Sequence, residues 1–255
     1  MAMKVTVRPS AVKGTVRAIP SKSFAHRQLI CAALAERETK IRCRVISEDI
    51  RATMRCLTAL GASIDYEDGI ISVMPITSPI RGAMLDCGES GSTYRFLAPV
   101  AAAFGAKTTF LLRGRLAQRP MGPLWEALER GGISIDGKGS ERVSFSGRLT
   151  AGEFRISGDV SSQFISGLLL ALPLLEKKSR IMIAGPVESG GYIDITLDVL
   201  DTFSLKTQVK DGSIEISGTD RFISPGNIAA EGDWSNSAFW LCGAAACRGI
   251  LTCEE

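Results

Sequence analysis

An internal repeat of about seventy residues constrains this chain more than any other feature. Helix-like segments that open with hydroxyl residues begin near Ser21, Ser90, Ser161 and Ser235, at spacings of 69, 71 and 74 residues. A fixed period means one supersecondary unit built several times, with neighbouring units burying each other's apolar faces. In the first unit the pattern predicts a helix over 23–36, a strand over 39–46, a helix over 49–60, and strands 63–66 and 70–74 around Gly69. The second repeats this over 92–104, 107–112, 120–130, 133–136 and 142–145, and the third over 162–175, 180–184, 192–203, 206–209 and 213–217. With a leading strand such as 152–157, each unit reads β-α-β-α-β-β. Three units predict a pseudo-threefold α/β (α+β) domain. The first helix of each unit is apolar on nearly all sides and belongs inside, while the second helices are amphipathic and cover one side.

A fourth unit opens with Ile228 to Asp233 and Ser235 to Leu241, and the chain stops inside its expected second strand. The domain expectation is therefore a three-unit domain over residues 14–225, flanked by fragments 1–13 and 226–255 of a second, incomplete domain. With 45% hydrophobic and 22% charged residues the chain is not a disordered one. The most apolar stretch, 165–175, is broken by Ser166, Gly167 and Pro173 and falls short of the roughly 20 residues of a membrane helix. A net charge of +3 is too small for a nucleic-acid footprint. Residues 1–7 alternate like a strand and lack a signal h-region, which points to the cytoplasm. Seven cysteines without a C-x-x-C read as reduced core thiols. A single histidine, His26, leaves no zinc set, so no metal is expected.

The openings of the buried helices carry the chemistry. They read Ser21-Lys22-Ser23 with His26-Arg27, then Gly88-Glu89-Ser90-Gly91-Ser92-Thr93-Tyr94-Arg95, then Ser161-Ser162-Gln163. Free backbone N–H groups at a helix start, joined by hydroxyls and cations, make a phosphate or carboxylate site, and threefold symmetry brings such starts together. Ser21, Ser92 and Ser161 each also fit a plain N-cap. Lys22, Arg27 and Arg95 fit less easily, because cations in a first turn oppose the helix dipole unless an anion is near. His26 has no nucleophile beside it and reads as a packing or capping residue. Arg119, ahead of Pro120 at an expected helix N1 position, is held extended; it suits a ligand-facing arginine and a solvated one equally. The loop 187–194 adds Ser189 and Tyr192, and its Gly190-Gly191 pair also fits a bare turn. A phosphate-binding nucleotide loop of either common type is missing from the sequence.

Together with Arg119-Pro120-Met121 and Tyr192-Ile193-Asp194-Ile195-Thr196-Leu197, these motifs stand in the order and at the intervals of a known family. The chain resembles the 5-enolpyruvylshikimate-3-phosphate synthase family over essentially its whole length, with Gly232-Asp233 resembling the start of that family's distal domain. The resemblance implies an enolpyruvyl transferase fold, an α-β prism of buried helices and outer sheets. It also implies enolpyruvyl transfer from phosphoenolpyruvate to a hydroxyl of shikimate-3-phosphate, with loss of phosphate, in aromatic amino-acid biosynthesis. No metal or organic cofactor is implied, and the full-length form is expected to be a monomer. By motif, Ser23, Arg27, Ser161, Ser162, Gln163, Ser189 and Tyr192 would hold shikimate-3-phosphate. Lys22, Gly91 and Arg119 would face phosphoenolpyruvate, with Lys22 as the catalytic contribution of this chain and Gln163 touching both ligands. The family's catalytic carboxylates and further cations are expected beyond Glu255. Glu89, where many relatives have asparagine, and Gly190-Gly191 depart from the pattern. The alternatives are a non-catalytic anion-binding module and a transferase acting on UDP-N-acetylglucosamine; Ser161-Ser162-Gln163 and Tyr192-Ile193-Asp194 argue against the latter.

Overall fold

Cross-strand pairing shows how the repeat is closed. A computed structural model describes residue 6 and residues 11–210, 212–218 and 220–254, so the alternation read at residues 1–7 lies outside the described residues except for Thr6. After strand β1 (Lys13–Arg17), the first unit holds α1 (Lys22–Leu34), β2 (Thr39–Arg42), α2 (Glu48–Leu60), β3 (Ser63–Glu67) and β4 (Ile70–Met74). The second holds β5 (Ala83–Gly88), α3 (Gly91–Phe104), β6 (Thr108–Leu112), α4 (Gly122–Arg130), β7 (Ser134–Asp136) and β8 (Arg142–Ser146). The third holds β9 (Glu153–Ser157), α5 (Ser162–Ala171), β10 (Ser179–Ala184), α6 (Gly191–Thr202), β11 (Thr207–Lys210) and β12 (Ser213–Ile216). Then come β13 (Asn227–Ala229), α7 (Trp234–Ala246) and β14 (Ile250–Glu254).

Each unit builds one four-stranded sheet, ordered β13-β2-β4-β3, β5-β6-β8-β7 and β9-β10-β12-β11. In the second and third units the leading strand runs parallel to the next one, as a strand joined through a crossover helix must. In the first unit that place is taken from the far end of the chain: β13 pairs parallel with β2, Asn227 opposite Lys40. Strand β1 instead pairs parallel with β14, Lys13 opposite Ile250. The two connecting segments meet where Pro20 bridges Gly232, and Ser21 N–H donates to the Glu231 carbonyl at 2.7 Å.

Helices α1, α3 and α5 are buried along nearly their whole length, as their all-round apolar composition requires. They share one core with the inner faces of the sheets, including Leu29, Phe96, Leu97, Phe110, Phe145 and Leu168 to Leu170. Full burial of such side chains is worth roughly 1.5–3 kcal/mol each. Helix α2 buries Ile50, Thr53, Cys56, Leu57 and Leu60 and turns Glu48, Arg51 and Arg55 outward.

Several expected boundaries move. Helix α5 stops at Ala171 and tightens into a 3₁₀ turn at Leu172-Pro173-Leu174, because Pro173 has no N–H to donate. Helix α4 starts at Gly122, with Pro123 rather than Pro120 in its first turn. Arg119 is still extended, φ −71° and ψ 143°. Cys31, Cys43, Cys56 and Cys87 are buried free thiols, whereas Cys242 is exposed and Cys247 and Cys253 are half-buried, so the reading of all seven as core thiols is corrected. Among the described residues, no helix is long and apolar enough to cross a membrane.

Candidate active site

Three hydroxyl caps start the buried helices. Ser21 accepts from Phe24 N–H at 3.4 Å, Ser90 from Thr93 N–H at 3.3 Å and Ser161 from Gln163 N–H at 3.3 Å. The cap of α3 is thus Ser90, not Ser92. Ser92 falls inside the first turn, where its hydroxyl is free to accept from Gln163 Nε2 at 2.9 Å.

The helix starts converge on a cavity of about 400 Å³. Eight of the ten predicted residues line it: Lys22, Ser23, Arg27, Ser161, Ser162, Gln163, Ser189 and Tyr192. Gly91 and Arg119 lie beside it. A Cβ on Gly91 would stand 2.9 Å from Arg119 Nη1 and 3.8 Å from Arg95 Nη1, so the bare glycine lets two guanidiniums approach the start of α3. Ser189 sits in the left-handed region, φ 58°, in the turn that leads into α6. His26, Ser92, Arg95 and Glu188 also line the cavity. Of these four the sequence singled out only Arg95, as a cation that calls for a nearby anion; His26 and Ser92 stand in quoted motifs without a ligand role, and Glu188 carried no signal.

The cations are less free than their sequence positions imply. Lys22 Nζ lies 2.6 Å from Asp49 Oδ2 at the start of α2. Burial pushes the Asp49 carboxyl up, but the Lys22 ammonium, His26 and the Ser90 hydroxyl outweigh it and hold it below its ordinary value. Arg27 is the sixth residue of α1, past the first turn where the dipole acts, and it is only 1% exposed. Its Nε donates to Thr196 Oγ1 at 2.6 Å, Nη1 to the Ser23 carbonyl at 2.8 Å, and Nη2 to Ser166 Oγ at 3.1 Å and the Tyr192 carbonyl at 2.9 Å. Its guanidinium carbon stands 4.7 Å from the centre of the Phe96 ring. Burial lowers its pKa to about 10. The expectation that Arg27 lacks a structural reason is therefore corrected: it ties α1 to α5 and α6.

Arg95 donates from Nη1 to Gln163 Oε1 at 2.6 Å, which leaves Gln163 bridging Arg95 and Ser92 across the start of α5. Burial and the Arg119 charge lower its pKa. His26 is buried, with its pKa pushed down to about 3 by burial, against Asp49 and with Lys22 and Arg27 adding to the fall. The result is a cavity whose walls offer positive charge, N–H groups and hydroxyls around one side of a single ligand-sized space.

A family model described as EPSP synthase (3-phosphoshikimate 1-carboxyvinyltransferase) matches residues 7–255. The chain belongs to the EPSP synthase family. A 3-phosphoshikimate 1-carboxyvinyltransferase of Clostridium perfringens is 39% identical over 241 residues, covering 93% of this chain and 57% of that protein. One of Clostridium botulinum is 41% identical over 244 residues, covering 92% and 56%. The chain thus spans little more than half the length of the curated relatives it matches. Among solved structures, an EPSP synthase from Acinetobacter baumannii superposes with a TM-score of 0.78 at 26% identity, covering 92% of this chain and 53% of that one. The three-unit fold with its buried helices is that of the EPSP synthase family.

Proposed function

We propose that this chain is the shikimate-3-phosphate-binding half of a 3-phosphoshikimate 1-carboxyvinyltransferase. The observation that carries the reading is the convergence of eight motif residues from α1, α5 and the α6 turn on one cavity. A ring bearing a carboxylate, a phosphate and hydroxyls matches such walls: anions meet helix starts and cations, and hydroxyls meet Ser23, Ser161, Ser162, Ser189 and Tyr192. In this reading Arg27 acts in two ways. It holds the Ser23 and Tyr192 backbones in place, and it presents what remains of its fork to the ligand.

Lys22, Gly91 and Arg119 face the second substrate, phosphoenolpyruvate, and Gln163 stands between the two ligands. Transfer proceeds by addition of the substrate hydroxyl oxygen to the phosphate-bearing carbon of the enol phosphate, the hydroxyl losing its proton and the methylene gaining one to become a methyl; loss of phosphate together with a methyl proton then restores the double bond in the product enol ether. The chain's own residues bind and orient the acceptor and place Lys22 as a cation beside the reacting groups. The expected bounds of 14 and 225 shift: β13 completes the first sheet, so the substrate wall in this proposal runs from α1 to β13, while β1, paired with β14, and the residues after β13 belong to the opposing wall, which the longer relatives complete.

Calorimetry tests the reading. Shikimate-3-phosphate is expected to bind the 255-residue chain weakly and UDP-N-acetylglucosamine not to bind; the reverse preference overturns the assignment. Phosphate release from shikimate-3-phosphate and phosphoenolpyruvate is expected only after the remaining family length is added as a second chain. Enzyme-like release by the 255-residue chain alone would show that the catalytic groups are wrongly placed.

A further inference from the structure

A second cavity, of about 430 Å³, opens where the two connecting segments cross, and it shares no lining residue with the first. Ala18, Ala229, Ala230 and Gly232 line it without filling it. Three arginines enter the space they leave, and they come from two separate sheets. Arg42 ends β2 and Arg44 lies two residues on, with the buried Cys43 between them, so both side chains leave the outer face of the first unit's sheet, their Cα atoms roughly 6.5–7 Å apart. Arg17 ends β1 and reaches the same cavity from the β1–β14 pair.

The backbones beneath these side chains are fixed. The Arg42 carbonyl accepts from Ala230 N–H at 3.0 Å, the Arg44 carbonyl from the Tyr66 hydroxyl at 3.0 Å, and Ala18 N–H, next to Arg17, donates to the Glu254 carbonyl at 2.6 Å. Their guanidiniums are free: among the described residues no hydrogen bond or ion pair engages any of the three, whereas Lys22, Arg27 and Arg95 in the other cavity are all held. Glu231 is the one acid in the lining, and Glu254, opposite Arg17 on β14, forms no ion pair with it. Three like charges around one space repel each other, and the arginine fork matches a phosphate edge in bidentate fashion. Free forks on fixed backbones leave little to order on binding beyond the side chains themselves. One anionic group can occupy the forks of one sheet; a ligand with two such groups occupies those of both. We propose that this cavity is a binding site for a compact polyanion of the diphosphate class, which ties the β1–β14 pair to the first unit's sheet. The site stands independently of the shikimate-3-phosphate reading.

Pyrophosphate is the probe. Titrated into the 255-residue chain in a calorimeter at constant ionic strength, it is expected to bind about tenfold more tightly than inorganic phosphate, which has one anionic group to offer. Arg17→Gln, and Arg42→Gln combined with Arg44→Gln, are each expected to weaken pyrophosphate about tenfold, the scale of one charge-assisted hydrogen bond. A measurement on the unaltered chain covers the case in which a variant fails to fold. With ¹⁵N-arginine labelling, pyrophosphate is expected to shift the side-chain Nε signals of Arg17, Arg42 and Arg44 and to leave those of Arg95 and Arg119 in place. Shifts at Arg95 or Arg119 instead of these three would put the anion in the other cavity and overturn the proposal. Phosphate binding as tightly as pyrophosphate, affinity that survives both sets of substitutions, or no binding at all overturns it as well.

Discussion

A buried arginine with no acid in contact among the described residues has to be neutralised by dipoles, and Arg27 is held by two carbonyls and two hydroxyls from three helices. Arg27→Ala is therefore expected to destabilise the fold by on the order of 3 kcal/mol, because it deletes four hydrogen bonds and the packing on Phe96 and leaves a cavity, while Ser166, Thr196 and the Tyr192 carbonyl keep only one another. Urea unfolding measures this, and an unchanged midpoint would return Arg27 to a purely ligand-facing role. His26 gives the molecule a pH dependence of definite sign. The unfolded ring takes a proton near pH 6.5 and the folded one only near 3. Stability is thus complete above pH 6.5 and falls as the pH drops between those values, with a slope approaching roughly 1.4 kcal/mol per pH unit. His26→Asn is expected to flatten unfolding midpoints measured between pH 7 and 4. Residue types and spacing revealed which side chains gather at the cavity. They did not reveal that Arg27 spends four of its five N–H donors on the protein or that Gln163 bridges Arg95 and Ser92, since partners 68 to 169 positions apart leave no local trace.

Element boundaries were legible wherever a cap or a period marked them. The strand Ile70–Met74 and the helix end at Leu60 fall where the pattern puts them, the latter because Gly61 takes the left-handed conformation that ends a helix. Errors came where two candidates competed. Ser90 and Ser92 both suit a cap, and Pro120 and Pro123 both suit a helix start; only tertiary packing chose between them. Crossing of elements was hidden as well. Helix α5 passes α3 at Gly167, where a Cβ would collide with the Arg95 carbonyl and crowd Pro99 Cγ at 3.2 Å. Gly167→Ala must push two central helices apart and is expected to cost about 1–3 kcal/mol. It should also weaken shikimate-3-phosphate, because Arg95 and the start of α5 would move together. Thermal unfolding and calorimetry read the two effects, and a variant as stable as the parent would mean that the helices slide without cost.

At the scale of the whole molecule, the repeat announced three sheets but not who completes the first. Sheets one to three look equivalent in sequence, yet the first takes its leading strand from Asn227–Ala229. Helix α7 is the exposed counterpart of the buried helices: Trp234 is 75% exposed and Phe239 81%, beside Trp240 and Leu241. A patch of this kind drives association, so the chain is expected to form larger species as concentration rises. Phe239→Asp should reverse this in light scattering without lowering the unfolding midpoint, and unchanged association would clear α7 of responsibility. The borrowed strand also bears on biosynthesis. While the ribosome is still making the second and third units, β2 waits with one edge unpaired, because Lys40 finds its partner only when Asn227 has been added. A nascent chain arrested before that point carries an open sheet edge, the form in which it is most exposed to chaperones and to pairing with a neighbour.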